Sequence, residues 1–379
     1  VSVFRQLAAR DAPLRVIQVG AGGMGRAWLH NDAANPDVEL VGIVDLDIAA
    51  AHAGAETYGD PSLPVGADLL ALADATGPDA VLDITVPVAH HPITTDALFA
   101  GLPVLGEKPA AQTVAEALSL AAAAEVTGEL FMVSQSRRYN DQLVAFRQHA
   151  KRLGTLGTVS TEFAKGPHFG GFREEMDNVL LLDMAIHPFD SVRYLLDRDP
   201  VSVYCDSYNP SWSWFRGDAA ASAVFEFEGG VRYTYNGSWC APGLETSWNG
   251  SWRLSGEFGA ALWNGDDEPT AELVSGAEAS LAETDSVGDG IAGSLAAFVR
   301  ALRTGETPDG EVHGNVMSLA MVEAAIESTD TGARVLIDDV LDRAYAAALA
   351  GEQRDEVRAQ LESWTSVRAA LQGVRVGSA

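Results

Sequence analysis

The chain has 379 residues, with 25 Lys plus Arg against 53 Asp plus Glu and a formal charge of −28. That length suits two domains of ordinary size, and so acidic a surface repels nucleic acid and anionic membranes, which excludes both as partners. Hydrophobic residues make up 47% and charged residues 21%, a globular composition, and no apolar run reaches the ~20 residues of a membrane helix.

Residues 1–13 include Arg5, Arg10 and Asp11 and lack an uninterrupted apolar core, so no secretory signal is expected and the location is read as cytoplasmic. From there short apolar runs at 14–19, 38–44, 80–85, 103–106 and 130–133 alternate with Ala-rich stretches of helical length at 24–34, 48–58, 67–75, 93–100 and 114–126. This βαβ alternation predicts a doubly wound parallel sheet. After Ser136 the rhythm changes to a helix over 141–153, a strand over 158–165 and a helix over 179–197. Aromatic-rich alternating runs then extend from 201 to 273, broken by Gly229-Gly230, Pro242-Gly243 and Asn264-Gly265, and predict an antiparallel sheet. Helices over 291–303 and 315–328 complete an α+β domain. Further helices over 340–350 and 352–371 read either as a tail packed on its own subunit or as an oligomer contact. The expected boundaries are 1–136 for a nucleotide-binding domain, 137–338 for the α+β domain and 339–379 for a helical extension, without internal repeat or low-complexity linker.

Cys205 and Cys240 both fall in predicted strands and are expected as buried reduced thiols rather than a disulfide or metal site. No metal-ligand cluster is visible, and the Asn-Gly-Ser sequons at Asn236 and Asn249 are read as chance in a cytosolic protein.

Gly20-Ala21-Gly22-Gly23-Met24-Gly25 follows the first strand and opens the first helix. In that context Gly20 permits the tight turn, Gly22 lets backbone approach a pyrophosphate and Gly25 allows helix-on-sheet packing. The helix N-terminus then offers free N–H groups to phosphates. Asp45 closes the second strand, where a carboxylate accepts from both ribose hydroxyls and repels a 2'-phosphate, so NAD is favoured over NADP. The alternative is that Asp45 is a solvated turn residue and Asp47, or nothing, plays this part.

Glu107-Lys108-Pro109 ends the fourth predicted strand, at the carboxyl edge where ligands of open α/β sheets bind. Asp183 and His187 lie one helical turn apart in Leu-Leu-Asp-Met-Ala-Ile-His-Pro-Phe-Asp, on one face. Together with the glycine loop and the segment 86–91, which begins Val86-Pro87 and ends at His91, these motifs resemble the glucose-fructose oxidoreductase and inositol dehydrogenase (Gfo/Idh/MocA) family over about residues 13–338. The resemblance implies an N-terminal Rossmann domain with a C-terminal α+β domain on a largely antiparallel, open-faced sheet, and a homo-oligomer such as a dimer or tetramer. It implies that Lys108, Asp183 and His187 carry the chemistry. It further implies cofactor contacts from Gly20, Gly22, Gly23, Met24, Gly25, Asp45, Thr85, Pro87, His90, Glu107 and Lys108.

The chemistry agrees with that assignment. Alcohol oxidation needs a base for the hydroxyl proton while hydride leaves the same carbon, and histidine titrates near working pH, so His187 is the expected base. Asp183 is expected to orient the ring and Lys108 to polarise the oxygen. Lysine usage adds weight: the chain has only Lys108, Lys151 and Lys165, and otherwise uses arginine.

Arg137, Arg138, Lys165, His168 and Tyr235 fall where the family lines its sugar pocket, and Trp212, Trp214 and Arg216 sit in a loop able to cover it; each of these can instead be structural. Four cationic residues clustered in so acidic a chain suggest an anionic sugar, a uronate or sulfonate. The leading reading is a sugar or polyol dehydrogenase. One alternative is a glycoside hydrolase that uses bound NAD for transient C3 oxidation, elimination and re-reduction, on an anionic glycoside such as a sulfoquinovoside. Another is a non-catalytic NAD-binding regulator.

Overall fold

The computed structural model describes residues 4–7, 12–274 and 288–372. Part of the N-terminal stretch, residues 1–3 and 8–11, therefore lies outside the described residues. In the first third the chain runs β1 (Leu14–Val19), α1 (Gly23–Ala34), β2 (Val38–Val44), α2 (Ile48–Tyr58), β3 (Val65–Gly66), α3 (Leu69–Thr76), β4 (Ala80–Asp83), α4 (Pro87–Phe99), β5 (Val104–Glu107), α5 (Val114–Thr127) and β6 (Phe131–Ser134). The strands form one parallel sheet in the order β3-β2-β1-β4-β5-β6, the dinucleotide-binding order with its reversal between β1 and β4. β3 is the one strand absent from the sequence reading. Two residues carry no periodicity, and they join only the edge of the sheet.

The helix ends show how sequence sets these boundaries. α2, α3 and α5 begin on Asp47, Asp68 and Thr113, whose side chains accept from the first-turn amides, and end on left-handed Gly59, Gly77 and Gly128. α1 differs: its N-cap is Gly22, with no side-chain cap and no acidic residue in the first turn. Its leading N–H groups are left for a ligand.

The chain continues as α6 (Asp141–Arg152), β7 (Leu156–Ala164), a π-helical turn at Leu180–Ala185 running directly into α7 (Ile186–Leu196), β8 (Pro200–Tyr208), β9 (Ala220–Phe227), β10 (Arg232–Ser238), β11 (Ser251–Gly256), β12 (Gly259–Trp263) and β13 (Thr270–Leu273). Then come α8 (Gly290–Thr304), α9 (Val312–Thr331), β14 (Val335–Leu336), α10 (Ile337–Gly351), α11 (Asp355–Ser363) and α12 (Val367–Gln372). The second sheet has the order β13-β12-β11-β7-β10-β9-β8-β14. It is mixed but largely antiparallel, as expected: the strands within 201–273 pair antiparallel, and the parallel pair is β7 with β10. The cause is the long 239–250 connection, which lets β7 enter between β10 and β11. One face of this sheet packs under α7, where Phe189 meets Phe225 at 4.8 Å and Tyr235 at 5.3 Å. Truncating such a buried ring typically costs ~3–5 kcal/mol. The opposite face shows Tyr204, Tyr208, Val224 and Leu262 exposed. Cys205 and Cys240 are buried free thiols.

The chain divides into two compact units, one of Val1–Ser136, Val287–Val316 and Arg343–Ala379, the other of Arg137–Ser286 and Met317–Asp342. Within the first unit the C-terminal helices pack on their own chain: Trp364 Nε1 and Gln360 Nε2 donate to Glu125 of α5 at 2.8 and 2.7 Å. The other Glu125 oxygen meets His313 Nε2 at 3.0 Å, and His313 Nδ1 meets Glu311 at 2.7 Å. Those two carboxylates overcome the effect of burial and raise His313 to about 9. Among the described residues no helix is long and apolar enough to cross a membrane.

Asp32, on the buried face of α1, is 1% exposed, and neither carboxyl oxygen has a hydrogen-bond partner. Burial raises it from 3.8 to about 8. A carboxyl raised on folding supports stability below its unfolded value and loses that support as pH climbs through its folded value. Asp32→Asn is therefore expected to melt higher than the parent at pH 8, by a few degrees, with the difference shrinking toward pH 4 in a series of thermal melts.

Candidate active site

The turn from β1 into α1 is fixed by contact. Gly20 has φ +98°, a methyl on it would strike the Ile84 carbonyl, and a methyl on Gly25 would strike the carbonyl of Gly20. Gln18, the lone amide side chain in β1, donates Nε2 to the carbonyls of Gly20 at 2.7 Å and Gly25 at 3.1 Å. Nothing lies within 4 Å of where a Cβ on Gly22 or Gly23 would stand, so the loop backbone faces open space. Open glycine backbone followed by an uncapped helix N-terminus is what a diphosphate requires, and NAD fits this cradle. Met24, at the helix start, is 48% exposed.

Asp45 is half-buried at the end of β2. One oxygen accepts from Ala21 N at 2.8 Å and the other from Asp47 N at 2.9 Å, leaving a lone pair on each for the ribose hydroxyls. Asp47 itself caps α2 through Ala49 N. The acidic partner of the glycine loop is thus Asp45.

At the carboxyl end of β4, buried Asp83 accepts from Thr85 Oγ1 at 2.6 Å and Thr94 Oγ1 at 3.0 Å. Burial raises its carboxyl against the opposing pull of His90 and both threonines. His90 is buried and turned inward, Nδ1 to Pro109 O at 2.7 Å and Nε2 to Thr85 O at 3.1 Å. Glu107 also points inward, with Trp28 Nε1 donating to Oε1 at 2.8 Å and Lys108 N to Oε2 at 3.1 Å. Lys108 stands between these anchors, joined to Pro109 by a cis peptide bond. Pro87 opens α4 at its first position. Thr85, Pro87, His90, Glu107 and Lys108 are therefore gathered at neighbouring strand ends, but His90 and Glu107 spend their polar atoms on the protein.

In the second unit, Asp183 lies in the π-helical turn and His187 in the first turn of α7. Both are half-exposed, while Leu181, Met184, Ala185, Ile186 and Pro188 around them are buried, so the two polar side chains share the open side of a packed segment. The sequence showed the spacing but not the π-turn, a form that recurs at functional sites. Asp183 Oδ2 accepts from Arg173 Nε at 2.6 Å, a partner not anticipated from the sequence.

The four cationic candidates separate. Arg138 is bidentate with Asp190, both bonds at 2.7 Å, and Asp190 also accepts from Ser318. Lys165 pairs with Glu245 at 3.0 Å. His168 stacks on Trp214 at 3.8 Å. Arg137 has no carboxylate within ion-pair reach among the described residues; its hydrogen bond goes to Met184 Sδ at 3.7 Å. Burial pushes Arg137 down to about 10, partly offset by Tyr235. Tyr235 is fully buried against Phe189, its hydroxyl without a partner, and stands in the core. In the loop read as a cover, Trp212 is 64% exposed, while Arg216 pairs with Asp177 at 2.8 Å. Among the described residues no group of three or more His, Cys, Asp or Glu is placed to hold a metal.

Comparison with known proteins gives the family of both parts of the chain. Residues 14–135 match the oxidoreductase family with NAD-binding Rossmann fold, and residues 145–262 match the GFO/IDH/MocA C-terminal domain. The protein named y4oX of Sinorhizobium fredii is 28% identical over 86% of this chain and 96% of its own. D-apiose dehydrogenase of Paraburkholderia graminis is 26% identical over 84% and 88%. D-glucoside 3-dehydrogenase of Escherichia coli is 30% identical, over 50% of this chain and 56% of its own. A solved Agrobacterium radiobacter oxidoreductase, in complex with NAD+, L-tartaric acid and magnesium, shares the fold with TM-score 0.76 at 19% identity, covering 86% of this chain and 99% of that one.

Removing the Asp45 carboxylate frees Ala21 N and Asp47 N and takes away the lone pairs offered beside the glycine loop. Asp45→Ala is expected to weaken NAD about tenfold or more and to narrow its advantage over NADP, read by fluorescence titration with both dinucleotides.

Proposed function

The chain belongs to the GFO/IDH/MocA family of NAD-binding oxidoreductases, and from that premise we propose that it oxidises a hydroxyl of an anionic sugar or polyol. The observation that carries the reaction is Lys108, held at the carboxyl end of β5 in the NAD-binding unit by bonds on both sides of its backbone. Relatives named D-glucoside 3-dehydrogenase and D-apiose dehydrogenase support a sugar hydroxyl as the reacting group.

NAD supplies the hydride acceptor. The residues around it do the rest. The Gly20–Gly25 turn and the α1 amides hold the diphosphate, and Asp45 holds the adenine-side ribose. His187 takes the hydroxyl proton, Asp183 steadies the imidazolium that results, and the Lys108 ammonium draws charge onto the oxygen as the carbonyl develops. Asp183 leaves Arg173 or shares it when it serves His187.

The anionic character rests on Arg137. A guanidinium taken out of water without a carboxylate is costly, and the charge-assisted bonds of a substrate carboxylate or sulfonate offset that cost. Arg138 and Lys165 already have their counter-ions. The reading therefore narrows from a cluster of cations to one, beside the Met184 that neighbours Asp183.

Purified protein with NAD and a panel of neutral and acidic sugars is expected to accumulate NADH in proportion to the acidic sugar consumed. Lys108→Ala and His187→Ala should each lower kcat about 10²–10⁴-fold. Aglycone release with catalytic NAD and no NADH would instead indicate redox-neutral glycoside cleavage. Arg137→Met should lower kcat/KM for acidic sugars about 10–10²-fold and leave neutral ones little changed, the scale of one charge-assisted bond pair. Equal losses on both classes, or a neutral polyol as the fastest substrate, would remove the anionic assignment.

A further inference from the structure

Among the described residues no strand pairing is seen beyond the end of β5, and side chains hold the loop that carries Lys108 on both sides. On its N-terminal side, Glu107 is held by Trp28 of α1 and takes the Lys108 N–H. On its C-terminal side the Pro109 carbonyl receives His90 Nδ1 at 2.7 Å, the shorter of that histidine's two bonds. His90 is 2% exposed and both its ring nitrogens face backbone carbonyls. The Pro109 carbonyl only accepts, so at that shorter contact the ring N–H donates. Asp83 lies within electrostatic reach of the ring, itself held by Thr85 and Thr94. A side chain so enclosed has no atom to offer a dinucleotide.

We propose that His90 is a positioning residue: through the Pro109 carbonyl it fixes the backbone from which Lys108 reaches the reacting oxygen, and it ties that loop to the Thr85 loop. This moves His90 from the cofactor contacts, where sequence placed it, to the support of the proposed catalytic lysine, and it rests on the function proposed above. The logic is geometric. A lysine has four rotatable side-chain bonds, so the direction of its Cα–Cβ bond limits where the ammonium can stand, and a displacement of about 1 Å at a reacting group can cost 10²-fold in rate.

The test uses the shape of two amides. Asn at this position places its N–H₂ near the site of Nδ1 and can keep the bond to Pro109; Gln places it near Nε2 and can keep only the bond to Thr85. His90→Asn, His90→Gln and His90→Leu would be compared by amide exchange across 107–112, by NAD titration and by turnover of the best sugar from the panel. The expected result is that Leu and Gln raise exchange across 107–112 about tenfold, the scale of one lost hydrogen bond, and lower kcat by up to about 10²-fold. NAD affinity should stay within about threefold, because no cofactor contact is removed. Asn should restore both exchange and kcat. Equal behaviour of Asn and Gln, or a Leu variant with parent-like exchange, overturns the proposal. If Leu does not fold, the Asn and Gln comparison decides alone. Full turnover by Lys108→Ala would sink the catalytic reading instead, and the exchange pattern would still decide whether His90 holds this loop.

Discussion

The dinucleotide-binding unit is built around the contact between Gly25 and the carbonyl of Gly20. No side chain fits there, so the chain must reverse from β1 into α1 with its amides exposed, and Gln18 locks the turn from beneath. Asp45 then seals the loop from β2 through Ala21 N. Each neighbouring strand end is fastened in the same way: Asp83 by two threonines, Thr85 and Pro109 by His90, Glu107 by Trp28. A parallel sheet gives its carboxyl edge no ladder beyond the last residue of each strand. Buried polar side chains take over there, each bond worth about 1 kcal/mol and costly to leave unmade.

The second unit handles charge differently. With a formal charge of −28 on the chain, a cation that can find a carboxylate usually has one: Arg138 with Asp190, Lys165 with Glu245, Arg173 with Asp183, Arg193 with Asp199, Arg216 with Asp177. Arg137 departs from that pattern while facing a sulfur atom and a buried phenol, both poor counter-ions. An acidic chain makes such a site selective, since the surrounding field disfavours an anion wherever a specific cation does not receive it.

Much of this was legible in the sequence. β1, β2 and α2 fall on the residues the apolar periodicity marks, and the glycine loop, Asp45 and the Glu107-Lys108-Pro109 turn stand at strand ends as their spacing implies. What was not legible depends on tertiary pairing. Arg138, Lys165 and Arg137 look alike in sequence and differ only in whether an acidic residue far along the chain folds against them. Tyr235 alternates correctly along β10, but alternation does not say which face lies under α7. β7 pairs with β10 in parallel because of a connection whose turn signals are local and carry no register. Gln18 and Trp28 did leave a trace, an amide among branched apolar residues in β1 and the one aromatic ring in α1 besides His30.

Each unit leaves buried polar atoms unbonded, Asp32 in the first and Tyr235 in the second among them, and where the bonds are made has a physical meaning. Around the proposed cofactor site Asp45, Asp83, His90 and Glu107 bond to the protein itself, so these strand ends keep their shape before ligand arrives and little of the binding free energy goes into ordering them. In the second unit the Tyr235 hydroxyl has no hydrogen-bond partner, and the Arg137 guanidinium lacks a carboxylate. Leaving the Tyr235 hydroxyl so costs folding stability, on the order of 1–3 kcal/mol for a buried unsatisfied group. On the proposed function, a ligand bearing an anionic group would give Arg137 the counter-ion that its own surroundings do not supply.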